Sequence, residues 1–271
     1  MQQAFDFLEE CESLHGLLVA LNERDLAVTT KFKRWTVADI IRHLAVWDAA
    51  ARLTLEDGAA FERFFAPVPG YMAANNLRAF ECKSVTAQGP GLIEYWWDNC
   101  RSTAQLYATA DPKQRLKWGG PDLSAQTCIT SRLMETWSHS QAIYDEFGVD
   151  RIDGDRIKNI VQIGVQTFLW TFQNRGLVPP GPIPNLELKA PSGEIWRWRN
   201  EQSLEHIVGS ATEFCQVVTQ TRNIADTQLR VDGPVGETWM EIAQCFAGSP
   251  ADPPRPGERY RNACSRFKRE W

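Results

Sequence analysis

The chain has 271 residues, 43% hydrophobic and 23% charged, with a formal net charge of -5. That balance describes a packed globular protein of one large or two ordinary domains and excludes a disordered chain. Net acidity argues against nucleic acid as a partner, and no apolar run approaches the roughly 20 residues of a membrane span.

The N-terminal segment lacks a basic stretch and carries Asp6, Glu9 and Glu10 where a signal peptide is apolar, which predicts a cytoplasmic protein. The cysteines number seven, at irregular spacing and without a Cys-x-x-Cys, so free thiols in a reducing compartment are expected. Phe5, Leu8, Cys11, Leu14, Leu17, Leu18 and Leu21 recur at three and four and predict a first amphipathic helix. The polar stretch 22–34 ends it. Thr36 then reads as an N-cap, with Asp39 three residues on as a variant capping box. The helix it opens carries Val37, Ile40, Ile41, Leu44 and Trp47 on one side, with His43 among them. Further helices are predicted over 71–85, 92–110 and 124–147, separated by the breakers at 88–91, 111–112 and 117–121. Gly148 closes the last of them as a C′ glycine. Four long helices joined by loops predict an antiparallel bundle over residues 1–150.

The pattern changes in residues 151–271, which read as a small α+β domain with a proline-rich tail. A helix is predicted over 155–173, a β-hairpin over 186–190 and 194–198, a helix over 203–221, a strand over 228–233 and a last helix over 239–246. The tail at 249–257 holds four prolines and is expected to leave the core.

His43, Glu135 and His139 stand out chemically. Glu135 and His139 are at i and i+4, so on a helix their side chains share one face. Such a pair can bind a divalent ion, and one imidazole from a neighbouring helix completes a three-ligand site with a coordination position left for water or substrate. The residues alone leave a second reading: a solvated helix pair in Glu135 and His139, and a hydrogen-bonded core histidine in His43. Neither His-Glu-x-x-His nor a glycine-rich phosphate loop occurs, and Ser138 and Ser140 lack the glycines of a nucleophile elbow. Trp47 and Trp137 flank the three residues and are candidate pocket liners, with core packing the competing role. Of the adjacent Trp96 and Trp97, one is expected to face outward.

Trp35-Thr36 opening a helix, with His43 eight residues after the tryptophan and Leu44 following, resembles the second helix of the DinB-like metalloprotein superfamily. Glu135-x-x-x-His139, preceded by Arg132, resembles the mycothiol-dependent maleylpyruvate isomerase branch, which has a His, Glu, His ligand set where other DinB relatives use three histidines. The segments 186–198 and 204–222 resemble the smaller C-terminal domain of that branch, related to sterol carrier proteins. The resemblance implies a mainly α protein: a DinB-like four-helix bundle in 1–150 and a sterol-carrier-like α+β domain in 151–271. It implies a divalent ion, usually zinc, on His43, Glu135 and His139, although such a set also suits nickel, iron or manganese. It further implies a low-molecular-weight thiol co-substrate (mycothiol, bacillithiol or glutathione) whose thiolate adds to a conjugated cis double bond. Rotation and elimination then give the trans product. In relatives the activated thiol is instead transferred to an electrophile.

Arg222 aligns with an arginine that holds a substrate carboxylate in the branch, a task suited to a bidentate guanidinium; the alternative is a basic residue at a helix C-terminus. The expected activity is thus a metal-dependent, thiol-using isomerase or S-transferase acting on a small electrophilic substrate, as a monomer or homodimer. Two alternatives remain at this point: a non-catalytic metal-containing protein that binds an apolar or acyl ligand, and a metal-dependent hydrolase.

Overall fold

The structure, a computed structural model, describes residues 1–260; Cys264 lies outside them. Two compact units divide at Ser140, the second running from Gln141 onward. The first unit holds α1 (Gln2–Leu18), α2 (Glu23–Leu26), α3 (Val37–Glu56), α4 (Gly58–Phe65), α5 (Val68–Ala73), α6 (Leu77–Ser84), α7 (Pro90–Thr109), β1 (Arg115–Leu116), β2 (Leu123–Ser124) and most of α8 (Ala125–Phe147). Helices α1, α3, α7 and α8 are the four long members of the bundle. None of the helices in the described residues is long and apolar enough to cross a membrane.

Helix α3 starts where the capping box predicts. The Thr36 hydroxyl accepts from the Asp39 backbone at 3.0 Å, and the Asp39 carboxylate accepts from the Thr36 backbone at 2.9 Å. Ahead of it, a short helix that composition did not reveal follows a second capping box, between Asn22 and Asp25. In α1 the buried stripe is Ala4, Phe7, Cys11, Leu14 and Leu18, while Phe5 is exposed. The helix expected over 71–85 is two helices, α5 and α6. Asn75 breaks it by adopting a left-handed conformation at φ 51°, which asparagine tolerates better than most residues.

The bundle core is knitted by polar contacts between helices as well as by apolar packing. The Tyr107 hydroxyl on α7 donates to the Ala51 carbonyl on α3 at 2.7 Å and lies 3.2 Å from Cys128 Sγ on α8. Asp48 on α3 is fully buried and accepts from Arg132 Nε on α8 at 2.8 Å and from the Trp96 indole on α7 at 3.2 Å. Burial pushes the Asp48 carboxyl up, and the Arg132 guanidinium beside it opposes that rise. Trp96 therefore faces the core. Trp97 points away and stacks on His15 of α1 with ring centroids 4.6 Å apart.

In the second unit, β3 (Asn185–Lys189), β4 (Ile195–Trp198), β5 (His206–Ser210) and β6 (Arg230–Asp232) form one sheet in the order β4-β3-β5-β6. The β3–β4 hairpin is antiparallel as the alternation predicts, with Gly193 at φ 92° in its turn. Helices α9 (Lys158–Gln166), α10 (Phe168–Asn174), α11 (Ala211–Val218) and α12 (Pro234–Ile242) complete the unit. Its core includes Ile160, Phe172, Leu188, Ile207, Phe214 and Trp239.

Four expectations change here, the first being that the helix expected over 155–173 is two, α9 and α10, on either side of Thr167. Residues 203–221 are not one helix: β5 pairs parallel with β3, only Ala211–Val218 is helical, and Leu204 is 94% exposed. The β-branched pair Ile207-Val208 favours strand. At Gly209 a Cβ would fall 2.7 Å from a Leu229 methyl and 3.3 Å from its Cα, so the strand leaves little room for a side chain there. The last helix lies at Pro234–Ile242 rather than 239–246, because Pro234 supplies a first-turn residue preset for a helix. The tail stays with the unit: the Gln220 amide donates to the Ala251 carbonyl at 2.7 Å, and Asn223 to the buried Pro254 at 2.8 Å.

Arg132→Met leaves a buried carboxylate at Asp48 without its cation, and a loss of about 3–5 kcal/mol is expected in urea unfolding. The double change with Asp48→Leu should cost less than Arg132→Met alone, since no unpaired charge remains. A single-variant loss under about 1 kcal/mol would contradict the structural role assigned to the pair.

Candidate metal centre

Helix α3 begins at its cap and brings His43 around on its second turn, 9% exposed. Helix α8 supplies Glu135 and His139 from successive turns of one face. The three residues converge, with one ligand atom from each lying within 4.8 Å of the others. Glu135 Oε2 is 3.0 Å from His139 Nε2 and 3.7 Å from His43 Nε2, and the two imidazole rings meet edge-to-face at 4.6 Å.

This spacing fits a metal. A tetrahedral ion with bonds of about 2.1 Å spaces neighbouring donors about 3.4 Å apart, between the two Glu135–imidazole separations of 3.0 and 3.7 Å. The donor set, two imidazoles and one carboxylate, is of the kind that binds zinc and leaves a position open.

Electrostatics follow the same geometry. Burial pushes the Glu135 carboxyl up, but its hydrogen bond with His139 and the close approach of His43, aided by the nearby Arg132 charge, hold it well below the usual carboxylate range. Burial lowers His43, and its contacts to Glu135 and Glu81 more than compensate, so its imidazole is raised. His139 is lowered, by burial first and by the charges of His43 and Arg132, against the pull of Glu135.

The walls of the site are aromatic. Residues 29–36 close a tight loop, in which the Thr30 backbone donates to the Trp35 carbonyl at 2.8 Å while Lys33 and Arg34 both sit at positive φ, 47° and 56°. Two consecutive non-glycine residues in that region are uncommon, and the loop they shape sets Trp35 and Phe32 against the ligands. The Trp35 ring lies parallel to His139 at 5.9 Å, and Phe32 meets His139 edge-on at 5.0 Å. On the other side Trp47 packs against Phe64, Phe65 and Trp118 at 6.4 Å each. The β1–β2 loop reaches this cluster because Thr54 on α3 donates to the Lys117 carbonyl at 2.6 Å. Gly119 lets Phe65 lie against the loop backbone: an added Cβ would fall 2.5 Å from the ring.

Trp47, a candidate for substrate contact, is half-buried and its indole donates to Glu81 Oε1 at 3.0 Å. Trp137 is fully buried and belongs to the bundle core. Arg222 lies in the second unit, past the end of α11. Its guanidinium donates to both oxygens of Asp145, at 2.6 and 2.7 Å, and to the Thr221 carbonyl at 3.0 Å. It is neither an exposed helix-end residue nor an uncommitted guanidinium.

One residue of the site was not legible in the sequence. Glu81 on α6 is 1% exposed, and its Oε1 lies 2.6 Å from His43 Nδ1. It stands 38 positions from His43 in a segment of mixed polarity, so no local pattern announced it.

Comparison with known proteins agrees with this architecture. The family model of the mycothiol maleylpyruvate isomerase N-terminal domain matches residues 7–144. The uncharacterized proteins Rv0036c and MT0041, from two strains of Mycobacterium tuberculosis (H37Rv and CDC 1551), are each 33% identical over 249 residues, covering 90% of this chain and 95% of theirs. The crystal structure of the mycothiol-dependent maleylpyruvate isomerase matches with a TM-score of 0.51 at 12% identity, over 80% of this chain and 87% of that one. A histidine-to-alanine mutant of that enzyme matches equally, at 13% identity. These likenesses establish a shared fold, and the family match over half of the sequence places the chain in a lineage: it belongs to the mycothiol maleylpyruvate isomerase N-terminal domain family.

Proposed function

We propose that this protein is a metal-dependent enzyme that uses a low-molecular-weight thiol to isomerise, or to transfer sulfur to, a small electrophilic substrate. The convergence of His43, Glu135 and His139 carries this reading, and the family gives the thiol its first identity, mycothiol. Zinc at these ligands would supply the Lewis acidity that makes a thiolate available near neutral pH.

The protein's own residues account for the remaining requirements. The two imidazoles and one carboxylate place a single negative charge in the ligand set, so a divalent ion keeps net positive charge to attract a thiolate. Trp35 and Phe32 cover His139 with apolar surface, which lowers the local dielectric and strengthens charge interactions at the ligands. The Trp47, Phe64, Phe65 and Trp118 cluster offers rings against which an unsaturated substrate can lie. Arg222 is the proposed contact for a substrate carboxylate. That carboxylate must displace Asp145, which already occupies both arms of the guanidinium.

Metal-free protein titrated with zinc or cobalt should take up one equivalent, and His43→Ala or His139→Ala should abolish stoichiometric binding. Full metal content in both variants, measured by elemental analysis, would remove the assignment. Cobalt-substituted protein should show a new sulfur-to-metal absorption on addition of mycothiol, or of bacillithiol or glutathione if the host uses those. A spectrum unchanged by every thiol contradicts the thiol-dependent reading, even when metal binding itself is intact.

A further inference from the structure

The two histidines of the centre share the Trp35 ring, which lies parallel to His139 at 5.9 Å and edge-on to His43 at 5.3 Å, and they differ at Nδ1. Phe32 meets His139 edge-on, Glu135 Oε2 lies 3.0 Å from its Nε2, and its buried Nδ1 has no hydrogen-bond partner among the described residues. The His43 Nδ1 lies 2.6 Å from Glu81 Oε1. A carboxylate only accepts, so Nδ1 carries the proton in that contact. In the neutral ring the lone pair is then on Nε2, the atom that faces Glu135 at 3.7 Å.

We propose that Glu81 is a positioning residue: it fixes His43 in the Nδ1–H tautomer, so that Nε2 is the metal-binding atom, and it shares the same oxygen with Trp47. The metal-binding half of this statement rests on the proposed function above; the tautomer half stands on the geometry of the protein alone. Three observations converge on it. Glu81 is 1% exposed, so an ionised carboxylate there requires donors to offset its desolvation. The donors it has are one ring N–H from His43 and one indole N–H from Trp47, at 2.6 and 3.0 Å. Both come from the same face of α3, four residues apart, while Glu81 comes from α6, beyond the break at Asn75.

The arrangement follows the general logic of metal sites, in which a carboxylate behind a ligating imidazole sets its tautomer and raises its basicity. Here it has a second consequence. Trp47 donates to the oxygen that orients His43 and also packs into the Phe64, Phe65 and Trp118 cluster. A displacement of the Trp47 indole therefore changes the partner of His43, which couples the aromatic wall to that metal ligand.

The test uses the full-length protein with nitrogen-15-labelled histidine, metal-free and in mildly alkaline buffer. Long-range proton–nitrogen correlation should show His43 protonated at Nδ1 in the wild type. In Glu81→Ala it should become a mixture or shift to Nε2–H. Glu81→Gln keeps an acceptor oxygen without the charge, so it should preserve the Nδ1–H tautomer. Zinc affinity by chelator competition should fall about 10–100-fold in Glu81→Ala and by less in Glu81→Gln. Trp47→Phe, which keeps a ring and removes the N–H, should give a smaller loss than Glu81→Ala; an unchanged affinity overturns the coupling through Trp47. Wild-type His43 protonated at Nε2, or Glu81→Ala with unaltered tautomer and affinity, overturns the proposal. Should Glu81→Ala fail to fold, the wild-type tautomer and the Glu81→Gln affinity still decide it. If the wild type binds no zinc, the proposed function fails separately, and the tautomer comparison still tests Glu81.

Discussion

The buried contact between Arg132 and Asp48 is the constraint on which the candidate centre depends. Asp48 follows His43 on α3 by little more than one turn, and Arg132 precedes Glu135 on α8 by just under one turn. A 2.8 Å charged hydrogen bond between them therefore sets the register of the two helices that carry the ligands. Trp96 of α7 donates to the same carboxylate, so three of the four long helices meet at one buried anion. Removing two charges from water is costly, and such a pair is weak grounds for claiming stability for its own sake. Its value here is specificity: a slip of α8 along α3 would leave both charges buried and alone.

From that register the rest of the site follows in layers. The facing helices bring two imidazoles and a carboxylate together, and the acidity of Glu135 and the basicity of His43 are each shifted toward the charged form by the other. Around them the protein uses two kinds of support. Aromatic rings from the 29–36 loop pack against both histidines, and a buried carboxylate from α6 also holds His43. The loop pays for its shape with two left-handed residues, Lys33 and Arg34, and α6, which carries Glu81, follows the left-handed break at Asn75. Irregular backbone thus appears where the ligands need a second layer of contacts.

Much of this was legible in the sequence because it rests on local rules. The capping box at Thr36 and Asp39 located α3, the i, i+4 spacing placed Glu135 and His139 on one face, and Gly148 marked the end of α8 with φ 66°. Alternation located the β3–β4 hairpin. What was not legible depends on distant partners. Glu81 was invisible because its role is defined by residues 38 and 34 positions away. The strand at His206–Ser210 reads as helix because its apolar residues also fit a helical period, and only pairing with β3 decides the matter. The proline-rich tail looked unanchored because its hydrogen bonds go to Gln220 and Asn223, outside its own segment. Arg222 reads from sequence as a carboxylate holder or a helix-end base, since nothing near it in sequence reveals Asp145 as its partner.

The claim that these helices were set to hold an ion is tested most directly at the ion itself. Zinc-loaded protein studied by anomalous diffraction or by X-ray absorption should show a metal bonded to His43 Nε2, His139 and a Glu135 oxygen at about 2.0–2.2 Å, with at least one lighter ligand that a bound thiol replaces with sulfur at about 2.3 Å. A metal bound elsewhere, or a first shell lacking the two imidazoles, would contradict it.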